Sequence, residues 1–315
     1  MRRILSKILI TDYPWPDLSV ETRLLDRGGA TLIAAPDDSE PTLAQLAEDC
    51  DAILTCWAKV TSAVLRNASR CKMVSRMGIG LDNIDLKACR ERGILVTNVP
   101  DYCVNEVAEH ALASIFALGR NIANFHLATK QGRYDLAAAP PMRQLRGATL
   151  GIIGMGKIGR QLATLATAVG MKVVVAARPS IGSEFVQLPL TELARQSDYI
   201  SLHAPLSDQT RNLIDAEFLG NMKPTAFLIN TSRGALVDHA ALAEALGNGK
   251  IAGAALDVQD PEPPDLQTAP FNMTQTIVTP HAAFVSETSL LTLRETATRQ
   301  VLQFLAGERP DNIVV

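Results

Sequence analysis

The stretch Leu150–Ala163, LGIIGMGKIGRQLA, constrains this chain more than any other. Its apolar start, Leu150, Ile152 and Ile153, has the character of a buried parallel strand. Glycines follow at 154, 156 and 159, and Ile158, Leu162, Leu165 and Ala166 recur at helical spacing. This is G-x-G-x-x-G set between a strand and a helix, the context in which the pattern has a mechanism. Gly154 permits the tight turn, Gly156 lets backbone approach a pyrophosphate, and Gly159 lets helix and strand pack closely. The N–H groups of the helix start, around Lys157 and Ile158, then receive the phosphates. An ordinary tight turn would also use glycines, but a second apolar strand, Val173–Ala176, follows at the distance a dinucleotide fold needs. The stretch reads as a dinucleotide site.

At 315 residues the chain is long for one core, so two domains are expected. A net charge of −3 gives no footprint for nucleic acid or an anionic membrane surface. The five cysteines, at 50, 56, 71, 89 and 103, form no C-x-x-C pair and leave one over, which favours reduced thiols and a cytoplasmic protein. The opening MRRILSKILI reads as a first strand rather than a signal peptide, because Lys7 interrupts the apolar run. No run is long enough to span a membrane.

Short apolar runs alternate with helical patterns from the start. Ile8–Thr11, Thr31–Ala35, Ala52–Thr55, Met73–Ser75 and Ile94–Asn98 read as strands. Leu18–Arg27, Leu43–Cys50, Ser62–Ala68 and Asp85–Arg92 read as helices between them. Such alternation predicts a doubly wound parallel sheet. One long helix is predicted over Asn105–Ala128, then a loop over Gln131–Arg146. A second α/β series begins at Leu150, with strands Leu150–Ile153, Lys172–Ala176, Tyr199–His203, Ala226–Asn230, Ala254–Asp257 and Thr276–Thr279. The final helical pattern, Glu287–Leu305, has no strand to follow and is expected to return to the first domain. The expected class is therefore α/β, with two Rossmann-like domains. Residues 1–98 plus 286–315 would form a discontinuous, flavodoxin-like substrate domain, and 99–285 the dinucleotide-binding domain.

After the second strand of such a half, an acidic residue normally accepts the ribose hydroxyls. Here the chain reads Ala176-Ala177-Arg178-Pro179, with no carboxylate. A carboxylate at Ala177 would repel a 2′-phosphate, whereas Arg178 can pair with one bidentately. Stacking of Arg178 on adenine is the alternative and suits either cofactor. NADP(H) is favoured over NAD(H).

Three polar groups fall just beyond later strands: Arg233 in Asn230–Gly234, Glu262 in a proline-stiffened loop, and His281 in Thr279-Pro280-His281. Each alone would pass for a surface arginine, a solvated acidic turn or a capping histidine. Together they lie on one rim of the sheet that binds the nicotinamide, and they suggest a hydride-transfer site. His110, His126, His203 and His239 fit that role less well, two of them lying on the long helix. Arg76 is either a second anion contact or an exposed arginine at a strand end.

In its motifs the chain resembles the D-isomer-specific 2-hydroxyacid dehydrogenases over nearly its whole length. The residues carrying this are Gly80–Asp85, Gly154–Gly159, His203-Ala204-Pro205-Leu206, Asn230–Gly234, Ala255–Val258, Glu262-Pro263 and Thr279-Pro280-His281. The resemblance implies that His281 donates and accepts the proton, that Glu262 orients it, and that Arg233 binds the substrate carboxylate and carbonyl. It implies cofactor contacts from His203, Ala204, Pro205, Thr210, Thr231, Ser232 and Asp257, and substrate contacts from the loop holding Ile79 and Gly80. It also implies an active site in the cleft between the two domains and a homodimer joined through Asn105–Arg146. The chemistry agrees: a carboxylate on one ring nitrogen fixes the imidazole, while a guanidinium polarises the carbonyl and positions it.

Reduction of a small 2-keto acid to a D-2-hydroxy acid is the leading expectation, with glyoxylate or hydroxypyruvate as first substrates. Residues Arg76–Asp85 and Val99–Val104 are similar to a branch containing the C-terminal-binding-protein corepressors, so a dinucleotide-sensing protein is a second reading. Oxidation of a small inorganic anion such as phosphite is a third.

Overall fold

A computed structural model describes residues 6–138, 142–177 and 184–315. The strands are β1 (Ser6–Ile10), β2 (Ala30–Ala34), β3 (Ala52–Thr55), β4 (Met73–Arg76), β5 (Leu95–Thr97) and β6 (Thr149–Ile153). They continue with β7 (Lys172–Ala176), β8 (Val186–Leu188), β9 (Tyr199–Leu202), β10 (Phe227–Asn230), β11 (Gly253–Leu256) and β12 (Thr276–Val278). The helices are α1 (Ser19–Arg27), α2 (Glu40–Ala47), α3 (Ser62–Asn67), α4 (Leu86–Arg92), α5 (Val104–Gly119) and α6 (Ile122–Lys130). After these come α7 (Lys157–Ala168), α8 (Leu190–Gln196), α9 (Ala216–Asn221), α10 (His239–Gly247) and α11 (Glu287–Leu305).

These elements make two compact units, Met1–Tyr102 with Ser286–Val315, and Cys103–Val285. Each is built on a wholly parallel sheet, ordered β2-β1-β3-β4-β5 in the first and β12-β11-β10-β9-β6-β7-β8 in the second. Parallel strands need a crossover to bring the chain back, and the helices supply it, covering both faces. The chain is thus an α/β protein of two parallel-sheet units, the nucleotide-binding one Rossmann-like.

In the first unit, α2, α3 and α4 close one face over Leu9, Ile53, Val74 and Val96. On the other face α1 and α11 pack over Ile8, Ile10, Leu54 and Met73 through Leu25, Leu293, Ala297 and Val301. α11 starts at a capping box, in which Ser286 and Ser289 each satisfy the other's backbone N–H. It is then fixed to α1 by a buried ion pair. Arg294 Nε and Nη2 donate to the two oxygens of Glu21 at 2.8 and 2.7 Å, and Nη2 also reaches the Asp17 carbonyl. The guanidinium lies 5.1 Å from the Trp15 ring centroid, and the Glu21 side chain is fully buried.

The second unit places β6 between β9 and β7, so the chain first runs β6 to β8 in one direction and then resumes at β9 on the other side. The strand order reverses between β6 and β9, and ligands of open α/β sheets bind in the crevice beside such a reversal. Leu150, Ile152 and Val175 pack against Ala111, Ile115, Leu162 and Ala166 of α5 and α7 on one face. Ile153, Leu202 and Leu228 meet Leu193, Leu219 and Leu242 of α8, α9 and α10 on the other.

Two expectations need correction. The single helix over Asn105–Ala128 is two helices, because Asn121 sits in the left-handed region at φ 52° and ends the first run. Tyr199 approaches so closely that its hydroxyl would meet a β-carbon at Gly119. The short edge strand β8 follows residues whose pattern carries no alternation, and it had no counterpart in the sequence reading. All five cysteines are buried, and desolvation pushes the thiols of Cys56 and Cys71 up to about 12.

Removing one partner of a buried pair strands the other charge. Glu21→Ala is therefore expected to cost about 3 kcal/mol of unfolding free energy, measured by urea denaturation. A loss below about 1 kcal/mol would place the pair among weakly contributing surface bridges.

Candidate active site

Since all seven strands of the second unit run the same way, their carboxyl ends share one edge. Gly154, His203 and Thr231 follow β6, β9 and β10 there, and Asp257 and Thr279 follow β11 and β12. Ala177 follows β7 on the other side of Gly154, donating its N–H to the Leu188 carbonyl. At about 4.8 Å per strand, the edge from β6 to β11 is about 14 Å long, which suits the nicotinamide half of a dinucleotide whose pyrophosphate lies at β6.

The three motif glycines have different physical reasons. Gly154 has φ 106°, and a β-carbon there would collide with the His203–Ala204 backbone at the end of β9. One at Gly159 would strike the Gly154 carbonyl. These two are required by the protein's own packing. Gly156 is not: its φ is −76°, and an added β-carbon would meet nothing within 4 Å. Its small size leaves the backbone open to something approaching from outside. It is the N-cap of α7, and no side chain caps that helix, whereas Asp215 and Asp238 cap α9 and α10. Open backbone over a helix N-terminus fits a pyrophosphate.

Further along, Ser232 Oγ donates to the Ala204 carbonyl at 2.6 Å, tying the β10 loop to the β9 loop. Thr210 Oγ1 donates to the Pro205 carbonyl at 2.7 Å and accepts from Ser207 N–H, so it shapes the loop that opens with Pro205. His203 Nε2 is 2.9 Å from Ser201 Oγ, and desolvation holds its pKa down to about 4, so the ring is neutral at pH 7. Thr231 Oγ1 is buried without a hydrogen-bond partner. A dinucleotide lying along this edge would supply one. Arg178 lies outside the described residues.

His281 Nδ1 lies 2.9 Å from Glu262 Oε2. A carboxylate only accepts, so Nδ1 carries the hydrogen of this bond. The other Glu262 oxygen accepts from the Gln259 N–H at 2.8 Å, and the Gln259 amide donates to the Leu256 and Thr279 carbonyls. The face of Phe284 stands at 84° to the imidazole, with centroids 6.0 Å apart. His281 itself has φ 52°, a conformation a β-carbon disfavours. It is held by its N–H on the Asp257 carbonyl at 2.7 Å.

The loop bearing Arg233 is brought beside the one bearing Glu262 by its neighbours. Asn230, buried at the end of β10, donates to the Arg233 carbonyl at 2.8 Å and accepts from Ser232 N–H at 3.0 Å. Gly234 runs against the backbone of Gln259 and Asp260, where any β-carbon would collide. The loops bearing Arg233 and Glu262 are thus in backbone contact, which only glycine at 234 permits. Asp257, 2% exposed, spends both oxygens on the His281 loop, accepting from Thr279 Oγ1, Ala282 N–H and Ala283 N–H. Sequence reasoning missed the supporting roles of Asn230, Gly234 and Gln259, although each stands within three residues of a residue it singled out.

In the first unit, Arg76 is 7% exposed, not the exposed strand-end arginine that was one of its two readings. Its Nε donates to Asn83 Oδ1 at 3.1 Å and its Nη1 to the Met77 carbonyl. Asn98 Nδ2 holds the Ile79 carbonyl at 2.8 Å, so the Met77–Gly80 loop is fastened from both sides. Among the described residues no group of three His, Cys, Asp or Glu side chains is placed to hold a metal ion, and no helix is long and apolar enough to cross a membrane.

The sequence model of the D-isomer specific 2-hydroxyacid dehydrogenase NAD-binding domain matches residues 112–283. The chain belongs to the D-isomer specific 2-hydroxyacid dehydrogenase family. Within that family it is 35% identical over 289 residues to a glyoxylate reductase of Korarchaeum cryptofilum, covering 88% of this chain and 86% of the relative. It is 34% identical to a D-3-phosphoglycerate dehydrogenase of Methanocaldococcus jannaschii over 98% of this chain, but spans only 59% of that longer protein. Among solved structures, the NADPH-dependent glyoxylate/hydroxypyruvate reductase of Sinorhizobium meliloti, with NADP and malonate, superposes with a TM-score of 0.87 at 26% identity, covering 98% of this chain and 97% of that one.

The contrast between the family's glycines is testable. Gly156→Ala should leave the melting temperature within about 2 °C while weakening dinucleotide binding about tenfold, read by fluorescence titration. Gly154→Ala should instead lower stability by about 2 kcal/mol or more, because it adds both a positive-φ penalty and a backbone clash. Equal behaviour of the two variants would refute the distinction.

Proposed function

We propose that this chain reduces a small 2-keto acid of the glyoxylate or hydroxypyruvate kind to its D-2-hydroxy acid. The observation that carries the reading is the His281–Glu262 pair at 2.9 Å, on the edge where the glycine loop and the Arg233 loop also end. Bound there, the nicotinamide dinucleotide supplies the hydride. Gly154, Gly156, Lys157, Ile158 and Gly159 hold its pyrophosphate, with His203, Ala204, Pro205, Thr210, Thr231, Ser232 and Asp257 along the nicotinamide half. Arg233 pairs with the substrate carboxylate and polarises the carbonyl, fixing the carbon that is reduced. Glu262 keeps the hydrogen on Nδ1, so Nε2 of His281 gives its proton to the carbonyl oxygen and takes it back in the reverse direction. Arg76, Ile79 and Gly80 are assigned to the substrate.

NADP(H) is proposed over NAD(H), since Ala177 offers no carboxylate to a ribose and Arg178 follows it. Relatives named for glyoxylate reduction, and the glyoxylate/hydroxypyruvate reductase of Sinorhizobium, support the substrate class. A cytoplasmic homodimer completes the proposal. Ile122, Leu127, Tyr134 and Leu136, in the segment assigned to dimer contact, are 56–95% exposed and are the apolar surface that such a contact would cover.

The experiment pairs NADPH and NADH, each against a panel of 2-keto acids, with loss of the reduced nicotinamide absorbance as readout. Turnover of glyoxylate or hydroxypyruvate is expected; dinucleotide binding without turnover of any acid would contradict the reading. His281→Ala should lower kcat at least about 100-fold and leave dinucleotide affinity within a few fold. Arg178→Ala should weaken NADPH about tenfold more than NADH, a difference of about 1.4 kcal/mol. Equal losses would indicate stacking on adenine.

A further inference from the structure

His110 lies in α5, and its Nε2 is 3.2 Å from Thr279 Oγ1, a residue 169 positions later. Thr279 Oγ1 in turn lies 2.6 Å from Asp257 Oδ1. The direction of both bonds follows from chemistry. The Asp257 carboxylate has only lone pairs to offer, so the threonine hydrogen must go to it. The remaining capacity of Oγ1 toward His110 is then as acceptor, and Nε2 of His110 must carry a hydrogen. The chain is one-way: His110 to Thr279 to Asp257, with the Ala282 N–H on the same Asp257 oxygen and the Ala283 N–H on the other.

This network brackets the strained position. Thr279 precedes His281 by two residues, Ala282 and Ala283 follow it, and the His281 N–H is bonded to Asp257's own carbonyl. Asp257 and Thr279 carry the backbone fastenings of the left-handed turn named above, and His110 joins them to α5. We infer that His110 is a positioning residue for His281, holding the Thr279–Ala283 turn so that the imidazole stays aligned between Glu262 and the substrate. The alignment matters only if His281 transfers the proton as proposed above. The hydrogen-bond chain stands independently of that reading, and the test separates the two.

Three variants read it: His110→Phe removes the donor, His110→Gln places an amide N–H at similar reach, and Thr279→Val removes the link. The readouts are kcat and KM for glyoxylate, NADH and NADPH affinity by fluorescence, and hydrogen exchange at the Ala282 and Ala283 amides. His110→Phe is expected to lower kcat about tenfold by misplacing the acid, with dinucleotide affinity within about twofold and faster exchange at both amides. His110→Gln should recover most of kcat, which a general packing role for the ring would not predict. Thr279→Val should show the same loss, and combining it with His110→Phe should add little more, since both cut one chain. Unchanged kcat and exchange in His110→Phe, or full additivity in the double variant, overturns the inference. Where the wild-type protein turns over no 2-keto acid, the functional reading fails, and the exchange rates alone decide: acceleration by both variants upholds the positioning and unchanged rates refute it.

Discussion

Parallel pairing of every strand in the nucleotide-binding unit is the constraint on which the rest depends. It obliges each strand to be followed by a crossover, and so it sends every strand–loop junction to one edge. Residues scattered between 154 and 281 become neighbours along that edge without any need for proximity in the sequence. The reversal between β6 and β9 then falls beside the glycine loop, and the loops after β10, β11 and β12 bring a guanidinium, a carboxylate and an imidazole to one side of it. The alternation of apolar strand and amphipathic helix, each a local pattern, therefore already determines which distant side chains can cooperate.

Close backbone approach does the finer positioning. Gly154 lies against His203–Ala204 and Gly234 against Gln259–Asp260, so two pairs of loops touch at positions where a side chain has no room. Such contacts are short and stiff, and they carry no rotamers to lose. Around them the polar groups are nearly saturated. Asp257 accepts from a hydroxyl and two amides, while Glu262 accepts from a ring nitrogen and an amide. A carboxylate with its lone pairs engaged in this way is held in direction as well as in place, which is what a side chain guiding a proton requires.

Much of this was legible in the sequence because the informative residues stand beside strand ends that hydrophobic periodicity reveals. The glycine loop, Arg233, Glu262 and His281 each follow a recognisable apolar run, and the C-terminal helix was expected on the first unit because no strand follows it. Other features could not be read. Asn121 breaks a helix whose apolar spacing continues past the break, since the pattern records burial and not backbone φ. β8 is three residues at a sheet edge, too short to show a period. The His110–Thr279 bond joins a helix face to a strand end 169 residues away, and neither residue type announces the other. Local signals locate elements; they do not state which turn of a helix meets which loop.

The buried Arg294–Glu21 pair has a consequence for how the chain is made. The nucleotide-binding unit is continuous from Cys103 to Val285, whereas the first unit needs α11, which begins at Glu287. During synthesis the amino-terminal strands emerge first, yet the face over Ile8, Leu54 and Met73, which α1 covers in part, is not completed until α11 has been added. Domains fold as units. The unit begun first is thus completed only after the one begun second, and Glu21 gains its arginine only when α11 arrives to close the core.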